Sequence, residues 1–153
     1  MITPPKRLVS KQLGELLLDR KIINEQQLQK GLSVQKEKGG LLGNILVLLG
    51  YATEEQIAQA LTTQFGFPYL PLSNYDVDVK IVTLIPENVA VQYNLIAIDK
   101  IGNSLTVAMS DPLNIHAIED IELITSCKVQ VFVSTQTDIK EAIKRYYGSV
   151  SKR

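Results

Sequence analysis

Apolar residues in the first half of the chain recur at three- and four-residue spacing, and the whole pattern occurs twice. Shifting the sequence by 29 positions aligns residues 13–35 with residues 42–64 and gives seven identical pairs. In each copy this spacing places the leucines on one helical face on either side of a polar break. Each copy is therefore predicted to form a helix, a short turn and a second helix.

Capping signals mark the start of the second helix in each copy. Asn24 with Gln27, and Thr53 with Gln56, have capping-box spacing, in which the first side chain accepts a free backbone N–H and the glutamine bonds back. A helical pair of this size cannot bury its apolar stripe alone, so the two copies are expected to pack together. The prediction is a four-helix lobe that occupies residues 1–65.

The second half has a different pattern. Residues 66–80 contain prolines spaced against helix and are predicted to form an extended connector with few contacts of its own. Residues 81–153 predict helix, strand, strand, helix, strand and helix, with a tight hairpin near Gly102 and a last helix that stops at Gly148. The predicted class is α+β, with a four-helix lobe from the duplicated unit followed by a small three-stranded sheet with helices.

The stripe of the last helix predicts its buried face. Ile139, Ala142, Ile143 and Tyr146 are expected to be buried, and Tyr147 is expected to lie at the rim.

Composition narrows the functional classes. The 153 residues are 45% hydrophobic and carry no net charge, so a basic surplus that would attract nucleic acid is absent. The apolar run 41–51 contains Gly43 and Asn44 and is shorter than the roughly 20 residues that span a bilayer, so no direct membrane insertion is expected. The single cysteine and the absence of an apolar signal core favour the cytoplasm.

No catalytic motif is present in the sequence. There is no GxxxxGK[ST] phosphate loop, no GxGxxG and no GxSxG, so an enzyme site is not expected. Two roles are considered for His116, the only histidine: a base or metal ligand, or a surface or hydrogen-bonded residue without chemistry. The second role is preferred because no second ligand lies at a suitable spacing. Cys127 is expected to be a packing residue.

Four carboxylates, Asp111, Glu119, Asp120 and Glu122, lie close together in the sequence. They allow a metal site or a solvated helix face, and the solvated face is favoured because charged helix surfaces are common. Asp111 precedes a proline and is expected to form a turn. We therefore predict no metal site and no catalytic residue.

A Leu-Gly pair occurs at the same place in each copy, at Gly14 and Gly43. A glycine inside a helix costs up to about 1 kcal/mol relative to alanine, so two in register indicate close approach of another group. That group is either a neighbouring helix or the flat face of a nucleotide base, and helix packing is favoured.

In their order and spacing along the chain, the segments resemble those of the N-terminal, MshEN-like domain of type II secretion and type IV pilus-assembly ATPases. The resemblance runs from about Leu13 to Gly148 and rests on the duplicated unit followed by FPYLPL, LIPENVA, LTVAMSDP and TDIKEAIKRYYG. It implies a non-catalytic docking and regulatory domain that is cytoplasmic and peripheral to the bacterial inner membrane. The implied partners are the cytoplasmic part of an inner-membrane platform protein and the C-terminal ATPase domain of the same polypeptide, with no nucleic acid.

In a subset of the relatives the duplicated motif binds cyclic di-GMP, which makes a cyclic di-GMP receptor the alternative function. No other cofactor is implied. The residues that match this ligand motif are Leu13, Gly14, Leu28, Leu32, Gln35, Leu42, Gly43, Ile57, Leu61 and Gln64. Gln12 and Leu41 replace its two arginines, and Lys21 replaces a glycine. Weak or absent binding is expected because an amide or a leucine does not replace a planar guanidinium.

Overall fold

The computed structural model describes the backbone of residues 6–151 and the side chains of residues 13–148 except Asn74. The side chain of Gln12, at one of the two replaced arginine positions, lies outside the described residues. The described chain forms α1 (Lys6–Asp19), α2 (Glu25–Lys38), α3 (Leu42–Leu48), α4 (Glu54–Phe65), a 3-10 turn (Leu72–Asn74), α5 (Val79–Val82), α6 (Glu87–Tyr93), β1 (Leu95–Ile101), β2 (Ser104–Met109), α7 (Ile115–Thr125), β3 (Lys128–Val133) and α8 (Gln136–Ser151). No helix in this described part is long and apolar enough to cross a membrane.

Helices α1 to α4 form the first lobe as two helix-turn-helix units. Both predicted capping boxes are present, since the Asn24 side chain accepts from the Gln27 N–H at 2.8 Å and the Thr53 hydroxyl accepts from the Gln56 N–H at 3.1 Å. One apolar cluster contains the buried leucines of both copies. The predicted four-helix lobe from a duplicated unit is confirmed.

The second lobe contains a three-stranded sheet in the order β1-β2-β3. Strands β1 and β2 are antiparallel and joined by a tight turn in which Gly102 has φ 57°, a conformation that glycine adopts readily. Helix α7 crosses from β2 to β3, which makes these two strands parallel. Asn114 caps α7 by accepting from the Ala117 N–H at 3.2 Å, as its position predicts.

The expectation that residues 66–80 make few contacts is wrong. The Val133 N–H donates to the Pro68 carbonyl at 2.8 Å, and the Leu70 N–H donates to the Val133 carbonyl at 2.9 Å. Leu72 and Val77 are buried in the core of the sheet. This segment supplies hydrogen-bond partners to the edge of β3, which an exposed connector would leave unpaired. The division into 1–65, 66–80 and 81–153 as folding units stays a prediction.

Two expectations for the last helix are also wrong. Helix α8 continues through Gly148, which has no left-handed conformation, so the predicted stop is absent. Tyr147 is buried and its hydroxyl donates to the Ile85 carbonyl at 2.6 Å, whereas Tyr146 is only half-buried. Both tyrosines follow the buried stripe of α8 by one turn, and the difference comes from a distant contact, because the Tyr147 hydroxyl reaches the carbonyls of Val82 and Ile85.

The two lobes share apolar and polar contacts. Leu113 and Val133, from the sheet lobe, belong to the apolar cluster of the helical lobe. The Glu54 carboxylate, at the start of α4, accepts from the Thr137 N–H at 2.5 Å and from the Thr137 hydroxyl at 2.6 Å. Thr137 lies in the first turn of α8, where free N–H groups and the helix dipole stabilise a carboxylate. These contacts position the cavity described below.

The two equivalent glycines are predicted to respond differently to alanine. A Cβ at Gly14 would lie 2.7 Å from a methyl group of the buried Leu28, whereas a Cβ at Gly43 would lie 3.5 Å from Leu13. We expect Gly14→Ala to lower the free energy of unfolding by about 1–2 kcal/mol through overpacking, and Gly43→Ala to raise it by up to about 1 kcal/mol through the better helix propensity of alanine. Urea denaturation of both variants measures the difference. Equal effects would contradict the packing role of Gly14.

Candidate functional site

A small cavity lies between the two lobes. Helices α3 and α4 form one wall, and the turns that follow β2 and β3 form the other. Its volume is about 20 Å³. A cavity of this size holds about one water molecule. The lining residues are Leu13, Leu41, Gly43, Asn44, Val47, Glu54, Ile57, Ala58, Ser110, Asp111, Ser134, Thr135 and Gln136.

Asp111 contributes a buried carboxyl group to this cavity. It is only 6% exposed, and its Oδ1 accepts from the Leu113 N–H at 3.2 Å. Burial raises the pKa of Asp111 to about 6, an effect that the Leu113 hydrogen bond partly opposes. A carboxyl group of this kind changes its protonation near pH 6, and its oxygens can accept hydrogen bonds from a donor that enters the cavity.

Ser134 adds a second polar group to the same cavity. Its side chain is 1% exposed, and its Oγ has no hydrogen-bond partner among the described residues. An unpaired buried hydroxyl costs about 1–3 kcal/mol. A polar molecule in the cavity would therefore gain free energy by bonding to this oxygen.

The structure brings together only part of the predicted ligand framework. Leu13, Gly43 and Ile57 line the cavity, and so does Leu41, which stands where the motif has an arginine. The remaining framework residues are not in its wall, and they are Gly14, Leu28, Leu32, Gln35, Leu42, Leu61 and Gln64. The assignment of all ten residues to a ligand site stays a prediction.

Most of those seven residues have contacts that explain them as packing or hydrogen-bonding residues of the fold. Gly14 packs against Leu28, and Leu42 and Leu61 are nearly inaccessible core residues. Gln35 is half-buried and its side-chain amide donates to the Gly40 carbonyl at 3.1 Å. For Gly14 the geometry therefore favours helix packing, while Gly43 borders the cavity.

The other candidate residues lie away from the cavity. Asp120 accepts from the Tyr93 hydroxyl at 2.5 Å and lies 3.3 Å from His116 Nε2. Burial, and after it the hydrogen bond to Asp120, raises the pKa of Tyr93 to about 12. Cys127 is buried. Among the described residues no three His, Cys, Asp or Glu side chains are placed to hold a metal ion.

The acidic cluster does not form one site. Glu119 is exposed, whereas Glu122 is half-buried and accepts from the Val129 N–H at 3.0 Å on the edge of β3. Asp111 is buried and lines the cavity between the lobes, which none of the other three carboxylates does. The expectation that Asp111 has only a turn-forming role misses this burial.

A signal for Asp111 and Ser134 is present in the sequence. Each follows the end of an apolar strand, Asp111 after β2 and Ser134 after β3. The two strands are parallel, so their carboxyl ends meet at one edge of the sheet, where ligand sites in open sheets are often found. Recognising the parallel pairing would have predicted that these polar residues lie close together.

Comparison with known sequences identifies relatives. The MshEN domain matches residues 65–152. The type IV pilus assembly ATPase PilB of Myxococcus xanthus (strain DK1622) is 37% identical over 140 residues, which cover 92% of this chain and 25% of that protein. The chain thus spans about a quarter of the length of this relative. The matched domain is non-catalytic, in agreement with the prediction that this chain has no enzyme site of its own.

Two solved structures resemble the fold. A structure of MshE with cdg is 32% identical, has a TM-score of 0.66, and the match covers 88% of this chain and 98% of that chain. The N-terminal domain of XpsE is 20% identical, has a TM-score of 0.74, and the match covers 90% and 94% of the two chains. The predicted α+β class is confirmed by this likeness.

The raised pKa of Asp111 predicts a pH-dependent stability. The usual aspartate value is 3.8, so between about pH 4 and pH 6 the folded chain binds this proton more tightly than the unfolded chain. The free energy of unfolding should therefore fall as the pH rises through this range, by about 3 kcal/mol from this group. Asp111→Asn keeps an acceptor for Leu113 and removes the titration.

Urea denaturation at pH 4.5 and pH 7.5 tests this prediction. We expect the unmodified chain to lose more stability than Asp111→Asn between these two pH values. Other carboxylates titrate in both proteins, so their contribution cancels in the comparison. The same pH dependence in both proteins would show that burial does not raise the pKa of Asp111.

Proposed function

Because this chain belongs to the MshEN domain family, we propose that it is the non-catalytic N-terminal docking and regulatory domain of a type II secretion or type IV pilus-assembly ATPase. It binds the cytoplasmic part of an inner-membrane platform protein and precedes the C-terminal ATPase domain of the same polypeptide. The observation that carries the proposal is a match along 92% of this chain to one quarter of a pilus assembly ATPase.

The contacts between the lobes suit a domain that transmits force or position. Shared apolar burial and the Glu54 to Thr137 hydrogen bonds tie the helical lobe to the sheet lobe. A partner that moves one lobe would therefore move the other. On this proposal the domain lies at the cytoplasmic face of the inner membrane through its partners, and the motor domain supplies the hydrolysis of ATP.

A competition experiment tests the docking function. The platform protein's cytoplasmic domain is immobilised and the full-length ATPase is bound to it in the presence of increasing amounts of this chain. We expect the isolated chain to displace the ATPase, because both present the same docking surface. The control is an ATPase that lacks the segment equivalent to this chain. Undiminished binding of that deleted ATPase would contradict the proposal.

The cavity between the lobes favours a second candidate function, that of a cyclic di-GMP receptor. Asp111 and Ser134 offer acceptors for the N–H donors along one edge of guanine, and Leu13 and Ile57 offer apolar surface for its face. The relative MshE has a structure with cdg and is 32% identical to this chain. These observations support a ligand at the junction of the lobes.

Two features oppose tight binding of that ligand. The cavity is about 20 Å³, so a guanine base has to move the walls apart before it can enter. Glu54 and Asp111 line the cavity, and among the side chains that the structure describes, from residue 13 onward, no lysine or arginine lines it. A phosphodiester therefore meets carboxyl groups without a compensating cation from the described lining, which disfavours an anionic ligand.

We therefore expect cyclic di-GMP to bind weakly or not at all, and Gln12→Arg with Leu41→Arg to improve binding. Leu41 lies in the wall of the cavity, so an arginine there adds a cation beside the ligand. Each arginine can supply stacking worth about 0.5–2 kcal/mol and charged hydrogen bonds worth about 1.5–3 kcal/mol, and about 1.4 kcal/mol is a factor of ten.

Titration calorimetry with cyclic di-GMP on both proteins measures this effect. The matched control has lysine at both positions, which restores charge without a planar group. We expect the affinity to follow the order arginine variant, lysine variant, unmodified chain. Submicromolar affinity of the unmodified chain would overturn the prediction.

A further inference from the structure

A second depression lies between α4 and the residues Tyr69 and Thr135 of the sheet lobe. We call it the acidic groove, and its walls are Glu55, Ala58, Gln59, Thr62, Tyr69 and Thr135. It encloses about 320 Å³, far more than the cavity between the lobes. This volume accommodates a long side chain of a partner without rearrangement of the walls.

Tyr69 forms an exposed aromatic wall at a fixed position. Its side chain is 46% exposed, although its neighbours in sequence are held in place. The carbonyl of Pro68 and the N–H of Leu70 both bond to Val133 on the edge of β3. The ring is therefore presented to solvent by an ordered backbone, which lowers the entropy cost of binding against it.

The groove is surrounded by negative charge. Burial raises the pKa of Tyr69, and the nearby charges of Asp138 and Glu55 raise it further. Burial likewise raises the pKa of Asp138, and the negative charges of Glu141, Glu54 and Glu55 raise it further. Among the described side chains, none of these carboxylates has a lysine or arginine within ion-pair distance.

This concentration of charge departs from the balance of the whole chain. The chain has 16 basic and 16 acidic residues, so its overall field does not attract a cation. A local group of carboxylates beside a groove nevertheless produces a negative potential that draws in positive charge. The exposed ring adds a face on which a flat cation can stack.

We propose that the acidic groove docks an arginine-bearing segment of the protein partner, with a guanidinium against the ring of Tyr69 and in reach of Glu55 and Asp138. Arginine fits better than lysine because its planar group stacks on aromatic rings and forms paired hydrogen bonds with carboxylates. The inference rests on the proposed docking function and names the chemistry of the surface that performs it.

The groove and the cavity share part of their walls. Ala58 and Thr135 line both. A segment docked in the groove therefore contacts residues that also enclose Asp111 and Ser134. Partner binding and occupancy of the cavity are expected to influence each other through these two shared residues.

A peptide titration tests the groove directly. Fluorescein-labelled tetra-arginine is titrated with the full chain, and tetra-lysine serves as the comparison. We expect Glu55→Gln with Asp138→Asn to weaken tetra-arginine binding by about three- to tenfold, the range expected for two exposed ion pairs. Glu119→Gln, which removes one exposed carboxylate on α7, is the control for loss of a surface charge outside the groove and should have little effect.

The aromatic wall is tested by a second pair of variants. Tyr69→Ala removes the stacking surface without a change of charge and should weaken tetra-arginine binding, whereas Tyr69→Phe should retain it. Tetra-lysine should bind more weakly and respond less to Tyr69→Ala. Amide NMR spectra of the chain with the peptide should change mainly at Glu55, Gln59, Thr62, Tyr69 and Thr135, and the same spectra confirm that each variant is folded.

Three results of the peptide titrations would overturn the inference. They are no binding of tetra-arginine, equal losses in Glu119→Gln and the paired groove variant, and an unchanged affinity in Tyr69→Ala. Platform-protein binding that persists in the groove variants would also reject the groove while leaving the docking function intact. Conversely, peptide binding in the groove by a chain that does not displace the ATPase would reject the docking function and leave the groove as an arginine-binding surface.

Discussion

The burial of sheet-lobe side chains in the core of the helical lobe is the contact on which the rest of the molecule depends. Val133 is inaccessible to solvent and Leu113 nearly so, and both pack among the leucines of the duplicated helices. Burying one such side chain contributes about 1.5–3 kcal/mol. Separating the lobes would expose both residues, and it would also open the cavity and the groove and break the Glu54 hydrogen bonds, because all of these lie at the same junction.

The same contact explains the unusual polar groups at the junction. Ser134 directly follows Val133, so anchoring the end of β3 in the helical lobe also carries the serine hydroxyl out of water. Asp111 precedes Leu113 by two residues and is buried when that leucine packs. The free energy gained by apolar burial offsets the cost of these two polar groups, which natural proteins commonly tolerate where a ligand or partner acts.

Local interactions were predictable from the sequence, while features that depend on distant contacts were not. Capping by Asn24 and Thr53 and the hairpin at Gly102 follow from residues within a few positions of each other. The burial of Tyr147 in place of Tyr146 depends on how α8 lies against the turn near Ile85. The burial of Asp111 depends on the helical lobe, which is far from it in the sequence. No short sequence pattern indicates that contact.

Glu25 and Glu54 are equivalent residues at the start of the second helix in the two copies, and they now have different partners. Glu25 accepts from the Gln29 side chain within its own helix, at 3.1 Å. Glu54 instead reaches Thr137 in the other lobe. An internal duplication thus provides two equivalent carboxylates, and sequence divergence can give one of them a contact with a distant part of the chain while the other keeps a contact within its own helix. Sequence identity between repeats consequently does not imply identity of role, and the two copies have to be mutated separately.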